Sequence, residues 1–426
     1  MIKKNQRNQA NNLDKYLNYK LLSLLLGVVL FSTFAGGCSS PSREAKADRK
    51  DKESKVSQKE QKIDEVRVKD FAIRGYDSGV EYTTESTKLT INLETESLQL
   101  SLVQPARRGK YPLVIYLPGM GESSDAGSKY RKAWATSGYA VISIQLLRDD
   151  ETILSNPAAK EGDFSYIRHD RYSPEVVSNR FNMLKKVVEY LKHGVEAGDT
   201  NLSNIDVDHM AIVGFDIGAN SAMIVAGEEV QAVSNSALPL KLAGVIALSP
   251  YADFSGATFD SRYRNINIPV LSITGDADDD THGVVPITLH QAPFQYMPEG
   301  NKYLLLLDGA SHAVIGSGAQ TNEIATVEKS TDNSKRNDNE SSGKSSGRGR
   351  GSRNGKKSSS SDNGNAETPA KRPPAGPTQR AIMGVAIEQI STVFLNAYVK
   401  NDPMAMEWLK NQAQPWLYNV GKIKDK

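Results

Sequence analysis

The sequence predicts an α/β domain with a mostly parallel central sheet and helices on both faces of that sheet. Short, continuous runs rich in Val, Ile and Leu recur along the chain, as in strands that are buried on both faces. Helical patterns separate most of these runs, and two stretches of alternating apolar residues precede them. Strand, helix and strand in repetition are typical of a parallel sheet.

The elements are predicted in the following order. Residues 88–103 alternate between apolar and polar side chains and predict an opening antiparallel hairpin. The buried strands that follow are predicted at 113–117, 140–145, 210–214, 243–248, 270–274 and 303–307. Residues 176–193 have apolar side chains at three- and four-residue spacing and predict a long helix. Ligands of such sheets bind at the carboxyl ends of the strands, so the residues after each strand are the candidates for function.

The N-terminus has the layout of a secretory signal. Basic residues precede an apolar run at 21–34, and the small residues 35–37 stand directly before Cys38, the one cysteine of the chain. The apolar run is short for a membrane-spanning helix. Small residues before a cysteine resemble the lipobox of bacterial lipoproteins. That resemblance implies a signal peptide at 1–37, a lipid on Cys38 and a place in the cell envelope, at the outer membrane if the organism has one. An ordinary signal peptide with an incidental cysteine is the alternative.

Two polar segments flank the predicted domain at 68–326. Residues 38–67 carry the lipidated cysteine and a disordered tether, because they have too few apolar residues to offset the entropy of ordering. Residues 327–377 form a basic insert rich in Ser and Gly, also predicted to be disordered, before a closing helix within 378–420. This insert could contact an anionic polymer. A specific nucleic-acid partner is not expected, since the net charge is only +2 and no aromatic residue stands among these charges.

The strand at 210–214 ends in the sequence Gly214-Phe215-Asp216-Ile217-Gly218, and an Ala-rich helix follows. Gly-x-Ser-x-Gly between a buried strand and a helix is the nucleophile elbow, a tight turn that presents one side chain above the sheet. The glycines are needed where strand and helix backbones approach closely. Here the spacing is intact, but an aspartate occupies the central position.

Three further motifs follow other strands. The strand at 113–117 leads into Pro118-Gly119-Met120-Gly121, where an oxyanion-hole N–H is expected, and the predicted donors are Met120 and Ile217. The strand at 270–274 leads into the acidic stretch 276–280, and the strand at 303–307 is followed by His312. The order of nucleophile, acid and histidine is that of α/β hydrolases.

Together these motifs resemble the capless α/β hydrolases related to dienelactone hydrolase, platelet-activating-factor acetylhydrolase and the cutinase-like polyesterases. The resemblance covers residues 88–318 and resumes at 381–409. It implies an α/β-hydrolase fold and an esterase-like hydrolase with a triad of Asp216, His312 and Asp278. By position Asp278 is the acid, because it stands three residues after Gly275, while Asp276, Asp279 and Asp280 are rivals. The expected partner is a small ester-like or lipid-like substrate.

The aspartate at the elbow leaves three hypotheses open. The first is the esterase-like hydrolase just described, and the second is a hydrolase that uses Asp216 itself as the nucleophile at a saturated carbon. A carboxylate is nucleophilic near neutral pH without a general base, so it could attack a saturated carbon, as epoxide hydrolases and haloalkane dehalogenases do. Those enzymes carry a helical cap after the sixth strand, and only residues 249–269 are available here, with Tyr251 and Tyr263 as possible acids. The third hypothesis is a binding protein that kept the fold and lost the serine.

No metal and no cofactor are predicted. The remaining histidines show no metal-ligand spacing; they are His169, His193, His209, His282 and His290. The stretch 276–280 lacks the EF-hand pattern. Ser221 lies a turn beyond the elbow and Ser249 ends the sixth strand, so neither is expected to replace the missing serine.

Overall fold

The computed structural model describes residues 61–93, 96–147, 150–233, 237–252, 257–280, 283, 285–317 and 375–426. These residues form an α/β fold around one mixed sheet of nine strands, in the order β1-β2-β4-β3-β5-β6-β7-β8-β9. The predicted signal peptide, the lipidation site Cys38, most of the predicted tether and nearly all of the basic insert lie outside the described residues.

All eight strands expected from the sequence are present. They are β1 Thr84–Asn92, β2 Ser97–Pro105, β3 Tyr111–Leu117, β4 Ala140–Ile144, β5 Ile205–Phe215, β6 Leu242–Leu248, β7 Val270–Ala277 and β8 Lys302–Ser311. A ninth strand, β9 Gly421–Asp425, follows near the C-terminus. β1 and β2 form the predicted antiparallel hairpin, and β2 pairs with β4 in antiparallel fashion. From β4 through β3, β5, β6 and β7 to β8 every pairing is parallel. The sequence analysis missed β9, a polar edge strand that pairs antiparallel with β8.

Helices cover both faces of the sheet, as predicted. The main ones are α1 at 61–73, α2 Ser128–Thr136, α5 Pro174–Glu196, α6 Ile217–Ala226, α10 Pro377–Tyr398 and α11 Pro403–Asn411. Successive side chains of a strand point to opposite faces. In β3, Val114 therefore packs in one core with Trp134 of α2, whereas Leu113 packs in the other with Leu184 of α5.

The long helix α5 begins where the sequence requires it. Ser173 precedes the helix, accepts a hydrogen bond from the N–H of Val176, and is followed by Pro174 at the first helical position. A serine cap and a proline at this place are both typical helix starts. The end of α5 lies three residues beyond the predicted range of 176–193.

The C-terminal region corrects the prediction of a single closing helix. α10 ends at Tyr398, and Asp402 caps a separate helix, α11, by accepting hydrogen bonds from the N–H groups of Met404 and Ala405. Pro403 cannot continue a preceding helix, which explains the break. α10 is long and apolar enough to cross a membrane by length and composition, but most of it is buried in the protein core.

Helix α1 occupies part of the segment that the sequence analysis assigned to the tether. The chain is already helical at residue 61, the first described residue, although the predicted tether extends to 67. Phe71 is buried and stacks on Trp416 with ring centroids 4.3 Å apart, and the indole N–H of Trp416 donates to the carbonyl of Phe71 at 3.0 Å. Gln389 also donates a hydrogen bond to the carbonyl of Ala72 at 2.8 Å, so the C-terminal end of this helix is attached to the domain by both packing and hydrogen bonds.

Candidate active site

Asp216 stands at a strained turn between β5 and α6. Its backbone has φ 51° and ψ −115°, a positive-φ conformation outside the left-handed helical region that is rare for a residue with a side chain. The turn is fixed by hydrogen bonds from the N–H of Asp216 to the carbonyl of Leu248 at 3.0 Å and from the N–H of Asn220 to the carbonyl of Asp216 at 3.1 Å. The turn therefore has the geometry of the predicted elbow, with a carboxylate as its presented side chain.

The two glycines of the elbow are required by close backbone contacts. A Cβ atom on Gly214 would lie 2.1 Å from the carbonyl oxygen of Gly218. A Cβ atom on Gly218 would lie 2.1 Å from the carbonyl oxygen of Leu117, at the end of β3. Both distances are far below van der Waals contact, which gives the physical reason for the Gly-x-x-x-Gly spacing.

The loop after β3 reaches the carboxylate of Asp216. The N–H of Met120 donates a hydrogen bond to Oδ2 of Asp216 at 3.1 Å. Gln145, directly after β4, holds this loop by donating to the carbonyl of Glu122 at 2.8 Å, and the Glu122 carboxylate accepts from the N–H of Gly119 at 2.8 Å. Ile217 begins α6 beside Asp216, so its N–H has no partner from a preceding helical turn. The two predicted oxyanion donors thus flank the elbow.

Asp278 is the member of the acidic stretch that contacts the histidine. Its Oδ1 lies 2.9 Å from Nδ1 of His312, while its Oδ2 accepts hydrogen bonds from Ser249 at 2.5 Å and Thr274 at 2.7 Å. The carboxylate is fully buried. Although burial acts to raise the pKa of Asp278, the bond to His312 and the charges of His290 and His312 lower it below its ordinary value. Asp278 is therefore an ionised, fixed acid.

The three rival aspartates have other surroundings. Asp276 is exposed and accepts a hydrogen bond from the N–H of Gly309 in the turn of β8. Asp280 is buried and accepts a hydrogen bond from the N–H of Val285 at 3.1 Å. Asp279 is exposed. Of these aspartates, Asp278 is the one whose carboxylate contacts His312, which the spacing of residues in the sequence could not establish.

His312 begins the short helix α9, His312–Ser317, at the end of β8. Burial acts to lower its pKa, but the hydrogen bond to Asp278 and the charge of Asp216 outweigh that effect and raise the pKa to about 9. Nδ1 is taken by Asp278, so Nε2 is the nitrogen left for chemistry. The negative charge of Asp216 therefore acts on His312 in the same direction as the charge of Asp278.

His290 is a second histidine at this site that the sequence analysis set aside. It is buried, its Nδ1 lies 2.9 Å from the carbonyl oxygen of Pro250, and its Nε2 lies 3.9 Å from Oδ2 of Asp278. It belongs to the 3₁₀ turn Ile287–Gln291, far from any strand end in sequence, so no motif marked it. Of the other histidines, His193 and His209 are exposed and lie beside Glu196 and Asp206 respectively, and the side chains of His169 and His282 lie outside the described residues.

Tyr172 is the other residue that the sequence analysis missed. Its hydroxyl lies 3.5 Å from Oδ1 of Asp216, and its ring stacks on Tyr251 at a centroid distance of 4.1 Å. Burial and the charge of Asp216 raise the pKa of Tyr172 well above its ordinary value, so the hydroxyl keeps its proton. Tyr263, the second tyrosine considered from the sequence, packs instead in the core shared with α5 and α6.

Tyr172 comes from a small helical cover that the sequence analysis did not predict. Between β4 and α5 lie a 3₁₀ turn, Asp150–Ser155, and two short helices, α3 Pro157–Lys160 and α4 Ser165–Tyr172. Ile153 and Ile167 of this cover pack in one apolar cluster with Met120 and Ile217. The elbow is therefore enclosed, and Asp216 is only 6% exposed.

The two serines near the elbow have structural partners, as expected. Ser221 is buried in α6, and its hydroxyl lies 3.4 Å from the carbonyl oxygen of Ile217 within the same helix. Ser249 serves the acid Asp278 through its 2.5 Å hydrogen bond. Among the described residues, no group of three or more His, Cys, Asp and Glu side chains is arranged to hold a metal ion.

No protein-family model matches the chain, and no curated protein matches it either. What the protein does is therefore inferred from the contacts of the site itself.

Proposed function

We propose that the protein is a hydrolase of the α/β-hydrolase fold in which Asp216 forms a covalent ester with the substrate and His312, held by Asp278, activates the water that cleaves this ester. The elbow between β5 and α6, the acid after β7 and the histidine after β8 follow one another in the chain order of that fold. The substrate class that the contacts support best is a small molecule with an electrophilic saturated carbon, such as an epoxide or an alkyl halide.

One observation carries this choice: the N–H of Met120 is bonded to Oδ2 of Asp216 itself. In ester hydrolysis that N–H would have to stabilise an oxyanion of the substrate. Here it holds one oxygen of the nucleophile and leaves Oδ1 for attack. After Oδ1 has bonded to carbon, Oδ2 becomes the carbonyl oxygen of the enzyme ester, and the same N–H polarises it for the attack of water.

The first step forms a bond between Oδ1 of Asp216 and the substrate carbon, while the bond from that carbon to the leaving group breaks. A halide leaves as the anion. An epoxide oxygen stays on the substrate as an alkoxide and needs a proton, and the protonated hydroxyl of Tyr172 lies 3.5 Å from Oδ1. In this proposal Tyr172 supplies that proton.

The second step needs a neutral imidazole, and the first step helps to create it. The charge of Asp216 is one of the causes that hold the pKa of His312 at about 9. Once Asp216 is an ester, that charge is gone and the pKa falls toward neutrality. His312 Nε2 then takes a proton from water, and the hydroxide adds to the ester carbonyl carbon. The bond between that carbon and Oδ1 breaks, the alkoxide takes the proton of the new carboxylic acid and leaves as the alcohol, and the oxygen from water completes the carboxylate of Asp216. The proton on His312 returns to the Tyr172 phenolate in the epoxide reaction and passes to solvent in the halide reaction.

Ordinary ester hydrolysis, expected from the body of the fold, is the second candidate. The pair of N–H groups from Met120 and Ile217 at the elbow favours it. Against it, attack of a carboxylate on an ester gives a tetrahedral intermediate with two possible leaving groups. Because a carboxylic acid has a pKa of about 4 and an alcohol a far higher one, the carboxylate leaves more readily than the alkoxide, and the intermediate returns to the reactants. The contacts therefore rank this candidate lower.

Two measurements on the full-length protein test the proposal. The first is a hydrolysis panel of short acyl esters, epoxides and chloroalkanes with wild type, Asp216→Ala, Asp216→Ser and His312→Ala. The second is intact-mass and peptide analysis of His312→Gln after incubation with styrene oxide. We expect an adduct of the full substrate mass on Asp216, because ester formation proceeds and hydrolysis stalls. An inert wild type together with an esterase gained by Asp216→Ser would instead identify a binding protein on a relic of an esterase.

We also propose that the chain is attached to the cell envelope through a lipid on Cys38, on the strength of the leader and the small residues before that cysteine. Metabolic labelling with a tagged palmitate should mark wild type and leave Cys38→Ser unlabelled. Equal labelling of both proteins would contradict the proposal. Contact of the basic insert with an anionic polymer stays a prediction.

A further inference from the structure

A cavity of about 250 Å³ lies beside the elbow, on the side of α5 and of the turn after α6. Its lining includes the apolar side chains Val177, Val230 and Ala232 together with the rings of Tyr172 and Tyr251. The proposed reaction uses Tyr172 and Asp216 and does not involve this cavity.

One side chain touches both the cavity and the nucleophile. The ring of Tyr172 forms part of the cavity wall, while its hydroxyl lies 3.5 Å from Oδ1 of Asp216. A contact of that length is at the limit of a hydrogen bond. Rotation of the Tyr172 ring about its Cβ–Cζ axis leaves the hydroxyl, which lies on that axis, beside Asp216. This rotation gives up part of the stacking on Tyr251 and joins the cavity to the attacking oxygen. Asn220, one turn into α6 after Asp216, lines the same cavity.

The charged groups around the cavity are already paired. Arg262 and Glu228 form a buried ion pair at 2.6 Å, and Glu229 at the rim lies 3.6 Å from Arg264. A charged ligand group would have to compete with these partners and pay for its own desolvation. The chemistry of the lining therefore suits a neutral, apolar group.

The volume sets the size of that group. At about 30 Å³ for each water in the liquid, the cavity corresponds to roughly eight waters, or to a group of about six to ten non-hydrogen atoms. A phenyl ring or a branched alkyl group is of this size, and the ring of Tyr251 offers an aromatic wall.

We propose that this cavity binds the apolar group of the substrate and that the ring of Tyr172 separates it from Asp216 until the substrate enters, when the ring turns and its hydroxyl stays beside Asp216. The protein then acts on neutral molecules that carry a phenyl-sized or branched alkyl group next to the electrophilic carbon. This inference rests on the proposed role of Asp216 as nucleophile.

Equilibrium binding tests the cavity without any turnover. Benzyl alcohol, a neutral phenyl-sized probe, is titrated into the full-length protein and followed by calorimetry. Ala232→Phe fills the cavity, and Ala197→Phe places the same ring on an exposed position at the end of α5 as a matched control. We expect Kd to rise at least tenfold in Ala232→Phe and to stay unchanged in Ala197→Phe. Equal Kd values in Ala232→Phe and wild type would overturn the inference.

A kinetic comparison separates this inference from the proposed function. If hydrolysis is found, Ala232→Phe should lose at least tenfold in kcat/KM for styrene oxide and keep its kcat/KM for propylene oxide, whose methyl group does not need the cavity. Equal losses on both substrates would contradict the cavity assignment while leaving Asp216 as nucleophile. Binding of benzyl alcohol by a protein with no turnover would support the cavity and count against the proposed hydrolase.

Discussion

The backbone N–H of Met120 donates a 3.1 Å hydrogen bond to Oδ2 of Asp216, so the loop after β3 binds the carboxylate of the elbow directly. A charged group on a strained, enclosed turn is costly unless it has partners. Here the N–H of Met120 and the hydroxyl of Tyr172 contact the carboxylate, and its charge acts to raise the pKa of His312. The enclosed carboxylate of Asp216 therefore has polar neighbours that offset part of this cost.

The first prediction concerns the electrostatic link between Asp216 and His312. In Asp216→Asn the charge is removed while an oxygen remains to accept from Met120, so the pKa of His312 should fall below its value of about 9. A titration of the imidazole by NMR measures this directly. Asp276→Asn is the control, because Asp276 is exposed and bonds to Gly309. An unchanged pKa in Asp216→Asn would show that the two side chains do not interact.

The second prediction is a pH dependence of stability. The pKa of His312 is raised in the folded protein from 6.5 to about 9. Its contribution to the free energy of unfolding is therefore fully present below pH 6.5 and is lost as the pH rises through 9. A shift of this size corresponds to about 3 kcal/mol at most. Denaturant unfolding at pH 6 and pH 10 should show a larger decrease for wild type than for His312→Gln, and equal decreases would contradict the assigned shift.

The third prediction compares the contributions that two buried hydroxyl groups on β7 make to stability. Thr274 donates to the buried carboxylate of Asp278 at 2.7 Å, so Thr274→Val should cost about 1–3 kcal/mol and reduce activity. Ser272 is buried on the same strand, and its hydroxyl has no hydrogen-bond partner among the described residues. Ser272→Ala should therefore be close to neutral or stabilising. Similar losses in both variants would indicate that packing, rather than the bond to Asp278, decides the cost.

The fourth prediction tests the close approach at the elbow. Gly218→Ala would place a Cβ atom 2.1 Å from the backbone oxygen of Leu117, and backbone cannot move aside as a flexible side chain can. We expect a cost of about 3 kcal/mol or more in a denaturant titration. Gly376→Ala is the control, because its Cβ would meet nothing within 4 Å. A Gly218→Ala protein as stable as wild type would mean that the elbow is looser than the contacts imply.

The strands and the elbow could be predicted because their signals are local. A buried parallel strand is a continuous apolar run, and the glycines of the elbow stand at a fixed spacing around Asp216. The edge strand β9 was missed because its sequence, Gly421–Asp425, is mostly polar and owes its conformation to pairing with β8. Local patterns do not contain that information.

The residues added by the structure have no sequence pattern at all. Tyr172 and His290 lie outside the strand ends, and only the packing of the α3–α4 cover and of the Ile287–Gln291 turn brings them to Asp216 and Asp278. The choice among four aspartates after β7 likewise depended on Ser249, Thr274 and His312, which meet Asp278 only in three dimensions.

The last prediction uses Tyr172 to separate two leaving groups. An epoxide oxygen needs a proton when its bond to carbon breaks, whereas a halide leaves without one. Tyr172→Phe removes the hydroxyl that lies 3.5 Å from Oδ1 of Asp216 and keeps the ring that stacks on Tyr251. If Tyr172 is the acid, single-turnover formation of the Asp216 ester should slow by about 10²-fold with an epoxide, a typical loss for a general acid, and hardly change with an alkyl bromide. Equal rates of both reactions in wild type and Tyr172→Phe would restrict Tyr172 to the wall of the cavity, and the proton would then have to come from water or from His312.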